Sequence, residues 1–139
     1  MKKKIWLVFL TAALISVLGG VTGCKSSSTT LSDADKTVMA YADPATETTL
    51  QGLSEDNLAK YIQYGDTAFK AALTQAILDE TSIPLKTQVG DYVSKTYLNF
   101  KTQGEYILVY YSVKYTKTTV KVQMTFDTDH LVAGQFFVQ

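Results

Sequence analysis

The residues Glu105–Phe126 read EYILVYYSVKYTKTTVKVQMTF and carry the clearest structural signal of the chain. Two alternating patterns flank a short polar turn in it. Val109 and Val113 belong to the first pattern, and Val122 and Met124 belong to the second. Alternation of β-branched and aromatic residues at every second position indicates a β-strand. The stretch therefore predicts a β-hairpin that turns one face toward the core.

The turn of this hairpin fixes its expected register. A two-residue turn at 117–118 places Val113 opposite Val122 and Val109 opposite Phe126. Apolar residues then meet at every step of that face, which stabilises the pair. A slip by one residue would turn all of them to solvent, so the sequence strongly favours the predicted face.

Two more strands complete the predicted sheet. Tyr92–Lys101 precedes the hairpin across a turn at 103–104, and Leu131–Val138 follows it across a turn at 128–130. Strict alternation gives the expected core-face residues of these strands: Thr96, Leu98, Phe100, Val132, Gly134, Phe136 and Val138. The prediction is a four-stranded antiparallel meander.

Helix signals fill the chain before the sheet. Ser32 or Asp33 can cap a helix that reaches about Tyr41. Asp43-Pro44 then indicates a restart, because Asp favours the N-cap and Pro the first helical position. Further cap, break and stop signals are Ser54, Gly65, Thr74, Pro84 and Gly90. Residues 33–139 are therefore expected to form one α+β domain, with several short helices on a curved four-stranded antiparallel sheet.

Residues 1–23 have the pattern of a lipoprotein signal peptide. Lys2–Lys4 precede an apolar stretch that is shorter than the roughly 20 residues of a membrane span. The segment ends in Val21-Thr22-Gly23-Cys24, which resembles the lipobox of bacterial lipoproteins. The resemblance implies cleavage before Cys24 and a diacylglyceryl group on its sulfur. The alternative is an ordinary signal peptide with Cys24 as an incidental thiol.

Lipidation would decide where the protein resides. Cys24 is the only cysteine, so an internal disulfide is impossible. Two acyl chains hold a protein stably on a bilayer. Residues 24–32 are rich in Ser and Thr and predict a flexible tether. We expect an exported protein that is anchored to the outer surface of a bacterial membrane through the lipid on Cys24.

Composition limits the classes of partner. All 13 basic residues are lysines, and the absence of Arg disfavours a dedicated nucleotide or phosphate site. No basic stripe with interleaved aromatics is present, which argues against nucleic acid. Removal of Lys2–Lys4 with the signal segment would leave 10 lysines against 13 acids, a net charge of −3.

One face of the predicted sheet is a candidate for binding. The registers bring Tyr97, Tyr106, Leu108 and Tyr110 together on the side away from the helices. Monomers rarely expose a large contiguous apolar patch, so this face can bind a partner. The alternative is structural, since tyrosine is favoured on half-exposed strands by cross-strand pairing alone.

Residues with catalytic or metal-binding chemistry are sparse. His130 lies in a predicted turn beside Asp127 and Asp129, and these three fall short of a zinc or calcium set. We interpret them as a polar turn, and we expect no metal, cofactor or catalytic motif. Four acids remain available as general acid or base in a pocket: Asp66, Asp79, Glu80 and Asp91.

The chain also resembles a known family. The motifs are Gly90–Ser94 (GDYVS), Tyr110–Tyr115 (YYSVKY) and Val120–Phe137 (VKVQMTFDTDHLVAGQFF). They are similar to a family of small bacterial secreted and lipoprotein domains of unknown function. The resemblance implies a nuclear-transport-factor-2-like, or cystatin-like, α+β cone. It also implies export and a binding or accessory role, and it carries over no catalytic residue.

We therefore weigh three functions. The first is a membrane-anchored binding or accessory domain, which recognises an envelope protein or a small apolar ligand. The second is a small hydrolase or isomerase that uses a buried carboxylate in a cone pocket. The third is a structural accessory without a ligand. A pocket with convergent polar groups would favour the enzyme, and a filled interior would favour the other two.

Overall fold

The computed structural model describes residues 30–138, which form helices followed by strands. Their bounds are α1 Asp33–Ser54, α2 Leu58–Tyr61, α3 Thr67–Ala72, α4 Gln75–Val89, β1 Tyr92–Gln103, β2 Tyr106–Tyr115, β3 Thr119–Phe126 and β4 Val132–Val138. The signal segment 1–23 and Cys24 lie outside the described residues, so both stay predictions. Within the described range, no helix combines the length and apolarity needed to cross a bilayer.

The four strands form one antiparallel sheet in the order β1-β2-β3-β4, and the sheet is not closed into a barrel. The helices pack on one of its faces. The predicted α+β architecture is therefore confirmed. The core-facing side predicted from the hairpin is also confirmed, since six of its residues are buried: Val109, Tyr111, Val113, Val122, Met124 and Phe126. Val120, the seventh, is partly buried against them.

The hairpin register differs from the prediction by two residues. Val113 pairs with Val120, and Val109 pairs with Met124. The connection is longer than two residues, because its backbone bonds to the segment after α4. Thr116 N donates to the carbonyl oxygen of Asp91 at 2.9 Å. A shift of two keeps every side chain on its own face, which is why the core was predicted correctly from a wrong pairing.

Two β-bulges invert the predicted faces of the outer strands. In β1 an extra residue at Leu98 places Tyr97 opposite Tyr111, so Tyr97 lies on the helix side of the sheet. In β4 a register irregularity at Ala133 leaves Val132 in the core and moves Phe136 to the outer side, opposite Gln123. A bulge inserts one unpaired residue and so reverses the alternation beyond it. The predictions that Thr96, Leu98, Gly134, Phe136 and Val138 face the core are therefore wrong.

The first helix is longer than predicted. α1 runs through Pro44 without a break, and Ser54 ends it rather than capping the next helix. Its buried stripe continues across the proline, with Ala42 before it and Ala45 after it. The stabilisation from burying residues before and after Pro44 offsets the cost of the one backbone hydrogen bond that Pro44 cannot make. The cap predictions at Ser32 and Thr74 and the stop prediction at Gly90 are confirmed. The predicted break at Pro84 is wrong, because α4 continues through this proline to Val89.

Candidate functional site

A row of tyrosine–carboxylate pairs joins α1 to the sheet. The hydroxyl of Tyr97 donates to Asp35 Oδ1 at 2.6 Å. The hydroxyl of Tyr111 donates to Asp43 Oδ1 at 2.8 Å. The hydroxyl of Tyr92 donates to Glu47 Oε2 at 2.7 Å. The three acids recur at multiples of four residues, so they lie along one side of α1. Each pair therefore fixes α1 against an inward-facing tyrosine.

Lys95 lies at the centre of this row. Its ammonium is 3.1 Å from Asp43 Oδ1 and 3.9 Å from Glu47 Oε2, and its side chain is 11% exposed. The same ammonium lies 5.0 Å from the centre of the Tyr111 ring. A single cation thus pairs with two half-buried carboxylates. Removal of Lys95 would leave both acids without their countercharge, which is costly at low solvent exposure.

Burial and then the hydrogen bonds of the row raise the pKa values of its tyrosines and keep them protonated. Burial raises the pKa of Tyr92 above its ordinary value, and the carboxylate of Glu47 raises it further. Burial and then Asp43 act in the same way on the pKa of Tyr111. Bonds from Ser32 and then Tyr97 lower the pKa of Asp35. The tyrosines of the row are therefore neutral hydrogen-bond donors at neutral pH, and Asp35, Asp43 and Glu47 accept from them.

An open groove lies at the end of this row, between α1, the end of α4 and the start of β1. Its volume is about 490 Å³. Its lining is predominantly polar: Glu47, Gln51, Ser54, Glu55, Lys86, Asp91, Tyr92 and Val93. Glu47 bridges the row and the groove, since Gln51 Nε2 donates to its Oε1 at 2.8 Å and Tyr92 holds its Oε2. The groove can bind a polar molecule through fixed hydrogen-bonding groups.

Of the four acids predicted as acid or base candidates, only Asp91 lines the groove. It forms an ion pair of 2.9 Å with Lys86. Asp66 instead caps α3 by accepting from Phe69 N. Asp79 accepts from Gln75 Nε2 on its own helix, and Glu80 lies exposed on α4. The structure does not bring these four acids together.

The turn at His130 is the polar turn that was predicted. Asp127 Oδ1 accepts from the backbone nitrogens of Asp129 and Leu131, at 2.9 and 2.8 Å. The His130 ring stacks on Tyr41 with the ring centres 4.0 Å apart. Within residues 30–138, no three His, Cys, Asp or Glu side chains are grouped to hold a metal ion.

The outer side of the sheet carries a second candidate surface. We call it the aromatic–lysine face and define it by Tyr106, Leu108, Tyr110, Phe136, Lys101, Lys114 and Lys121, which the registers place on this side. Phe136 is 54% exposed and Tyr106 is 46% exposed. The ammonium groups of Lys101 and Lys121 lie 5.7 and 5.1 Å from the centre of the Tyr110 ring.

The predicted partner-binding residues thus divide between two sides of the sheet. Tyr106, Leu108 and Tyr110 lie on the aromatic–lysine face. The placement of Tyr97 beside Tyr110 is wrong, because the bulge at Leu98 turns Tyr97 toward α1. Its hydroxyl bond to Asp35 gives it a structural contact on the inner side. Whether the remaining residues bind a partner stays a prediction.

Sequence reasoning missed the residues at the centre of the inner row. Glu47 and Asp43 carried a readable signal, since acids four residues apart share one side of a helix. The predicted break at Pro44 hid that signal by assigning Asp43 to a cap. Lys95 and Tyr92 carried no such sequence signal. The side of the sheet on which their side chains lie depends on β-bulges, which the local sequence does not indicate.

Comparisons with other proteins reveal a family and a fold. No curated protein matches the chain. An NMR structure of a protein from Ruminococcus gnavus ATCC 29149 is similar in fold, with a TM-score of 0.51 and 19% identity. The match covers 76% of this chain and 94% of that one. A family model described as "Protein of unknown function (DUF3887)" matches residues 46–134, and the chain therefore belongs to that family.

Proposed function

We propose that the chain is an exported, lipid-anchored binding protein of the bacterial cell envelope. The sequence Val21-Thr22-Gly23-Cys24 after an apolar segment supports acylation of Cys24. The tether of residues 24–32 would then hold the domain close to the bilayer surface. The cystatin-like cone implied by the family resemblance agrees with helices packed on one face of an open sheet.

The observation that carries the binding role is the groove. The side chains between the helices and the sheet fill the domain interior, with Leu50, Met124 and Phe126 fully buried. The groove stays open beside this interior and presents fixed polar groups from three elements. We infer that it binds a small polar ligand, with Glu47 and Tyr92 as the central contacts. A small apolar ligand fits this polar lining less well.

A binding role fits this groove better than a catalytic one. Both carboxylate oxygens of Glu47 already accept hydrogen bonds, from Gln51 and Tyr92. A general base needs an oxygen aimed at the proton that it removes. Asp91 is paired with Lys86. An enzyme that uses Glu47 or Asp91 is the second candidate, because both carboxylates line an open groove.

Affinity capture from a native envelope extract tests the proposal. The immobilised domain and its Glu47→Gln/Tyr92→Phe variant are exposed to the same extract, and mass spectrometry identifies the retained small molecules. We expect a polar compound that the wild-type domain retains and the variant does not. The Tyr106→Ala variant, altered on the other side of the sheet, is the matched control and should retain the compound.

Each outcome has a defined meaning. A compound retained equally by wild type and the groove variant would contradict the assignment of the groove. If the wild-type domain chemically converts the captured compound and the Glu47→Gln variant does not, the protein is an enzyme rather than a binding protein. Both measurements require that the variants melt close to the wild type, which circular dichroism establishes.

A further inference from the structure

We propose that the aromatic–lysine face docks on the surface of an anionic lipid bilayer. The proposal rests on the lipid anchor suggested above, because that anchor brings the domain to a membrane. It goes further because it assigns the side of the domain that touches the bilayer. With that side on the bilayer, the groove stays accessible to a ligand.

The charge of the sheet supports this orientation. Strands β1–β4 contain four lysines and no Asp or Glu. Three of the four lie on the aromatic–lysine face, whereas Lys95 points to α1. The acids nearest in sequence, Asp91, Glu105 and Asp127, lie in the connections at the two ends of the sheet and not within its strands. The face is therefore cationic across its strands, and anionic phosphate groups complement it.

The helix layer has the opposite sign. α1 carries Asp33, Asp35, Asp43 and Glu47 against the single cation Lys36. An anionic surface therefore attracts one side of the domain and repels the other. Charge separation of this kind orients a domain as well as attracting it.

The aromatic residues favour a lipid surface over a protein or a soluble polyanion. Tyrosine is enriched at the membrane–water interface, where its ring and its polar tip are both accommodated. Phe136 and Tyr106 are exposed beside the lysines. Protein interfaces are depleted in lysine, and a soluble polyanion would make no use of exposed Phe136.

The tether is long enough for this orientation. Asp35 bonds to Tyr97, so α1 begins beside the edge strand β1. The nine residues 24–32 reach about 30 Å when extended. A helix layer and a sheet lie about 10 Å apart, so the tether can pass the edge of β1. Acylated Cys24 can therefore enter the same bilayer that the face contacts.

Tryptophan reporters can test the orientation directly. The native chain has one tryptophan, Trp6, so a segment of residues 30–139 contains none. This segment contains all the helices and strands described above, and a solved chain of similar fold matches over 94% of its own length. We therefore use the segment alone. Phe136→Trp labels the aromatic–lysine face. Ile83→Trp labels exposed α4 as the matched control.

Vesicles of phosphatidylglycerol and of phosphatidylcholine are the two probes. We expect the emission of Phe136→Trp to shift to shorter wavelength on phosphatidylglycerol only, and to return as salt is added. Ile83→Trp should stay unchanged. The proposal is overturned if phosphatidylglycerol causes no shift, if both lipids act alike, or if Ile83→Trp shifts and Phe136→Trp does not.

Charge-matched triple variants test the role of the lysines. A lysine near an anionic surface strengthens binding about fivefold, so Lys101→Gln/Lys114→Gln/Lys121→Gln in the Phe136→Trp background should weaken partitioning roughly 100-fold. The control Lys36→Gln/Lys60→Gln/Lys70→Gln removes the same charge from the helices. An equal loss of vesicle partitioning in both triple variants would mean that only the net charge of the domain matters, and it would overturn the proposal. So would binding of soluble polyphosphate without binding of vesicles.

This test is independent of the anchor. The segment of residues 30–139 lacks Cys24, so vesicle binding reports on the face alone. The acylation of Cys24 is measured separately, by the mass of the protein isolated from cell membranes. A negative result in one experiment therefore leaves the other result interpretable.

Discussion

At the scale of single residues, paired polar groups hold the inner side of the sheet together. Tyr111 is fully buried, and its hydroxyl has one partner, Asp43. A buried hydroxyl without a partner costs free energy, whereas a paired one is tolerated. Asp43 and Lys95 thus allow a tyrosine to occupy a core position of β2.

Tyr111→Phe tests this contact. Removal of the hydroxyl takes one donor from Asp43 and leaves Lys95 in place, so the free energy of unfolding should fall by about 1–2 kcal/mol. Chemical denaturation measures it. Tyr106→Phe, at an exposed position of the same strand, is the control and should change stability little. An equal effect of both substitutions would refute the assignment of this hydrogen bond.

The raised tyrosine pKa values predict a loss of stability at alkaline pH. Burial raises the pKa of Tyr61 and of Tyr115 to about 12, and the pKa of Tyr111 is also raised. An unfolded tyrosine ionises near pH 10. Above that pH the unfolded chain loses protons that the folded chain keeps, so stability falls as the pH rises toward the folded values.

Thermal melts across the alkaline range measure this effect. The melting temperature of the wild type should fall steeply above pH of about 10. The melting temperature of the Tyr115→Phe variant should fall less steeply with pH, because this variant has one fewer buried tyrosine and the same lysines. Parallel curves for the two proteins would mean that Tyr115 does not contribute.

At the scale of elements, the connections explain which predictions succeeded. The dry face of β2 and β3 was predictable, because the register error of two residues preserved the direction of each side chain. The faces of β1 and β4 were not, because Leu98 and Ala133 are bulge residues with nothing in the local sequence to mark them. Tyr92 in the groove lies on β1 and was missed for the same reason, whereas Glu47 was missed because α1 was predicted to end before Pro44.

The junction between α4 and β1 sets the length of the hairpin loop. Gly90 ends α4 with a φ of 87°, a conformation that only glycine adopts easily. A Cβ atom there would also collide with the Thr116 hydroxyl. The Thr116 hydroxyl in turn accepts from Asp91 N at 3.0 Å. This contact holds the β2–β3 loop against the end of the helix.

Gly90→Ala should therefore destabilise the domain by about 1–3 kcal/mol or more through strain and collision. Gly104→Ala is the matched control, since Gly104 has a φ of 60° and no neighbour near its Cβ position. That substitution adds strain without collision and should cost about 1–2 kcal/mol. Denaturant unfolding compares the two. A smaller loss for Gly90→Ala than for Gly104→Ala would contradict the proposed docking of the loop.

At the scale of the whole molecule, the two sides of the sheet divide the work that we propose. The inner side carries the core, the tyrosine–carboxylate row and the groove. The outer side carries lysines and exposed aromatic rings. A lipid on Cys24 would bring the outer side to a membrane and leave the groove accessible to a ligand in the envelope.

The proposed anchoring of the protein depends on a lipid at Cys24, and the intact mass of the protein extracted from cell membranes measures whether Cys24 carries it. We predict a chain that begins at Cys24 and carries a diacylglyceryl group, and we predict that Cys24→Ala leaves membranes that are washed at high salt, because salt weakens the charge-dependent contact of the aromatic–lysine face. A membrane-bound chain with residues 1–23 still attached, or with Cys24 unmodified, would contradict the account.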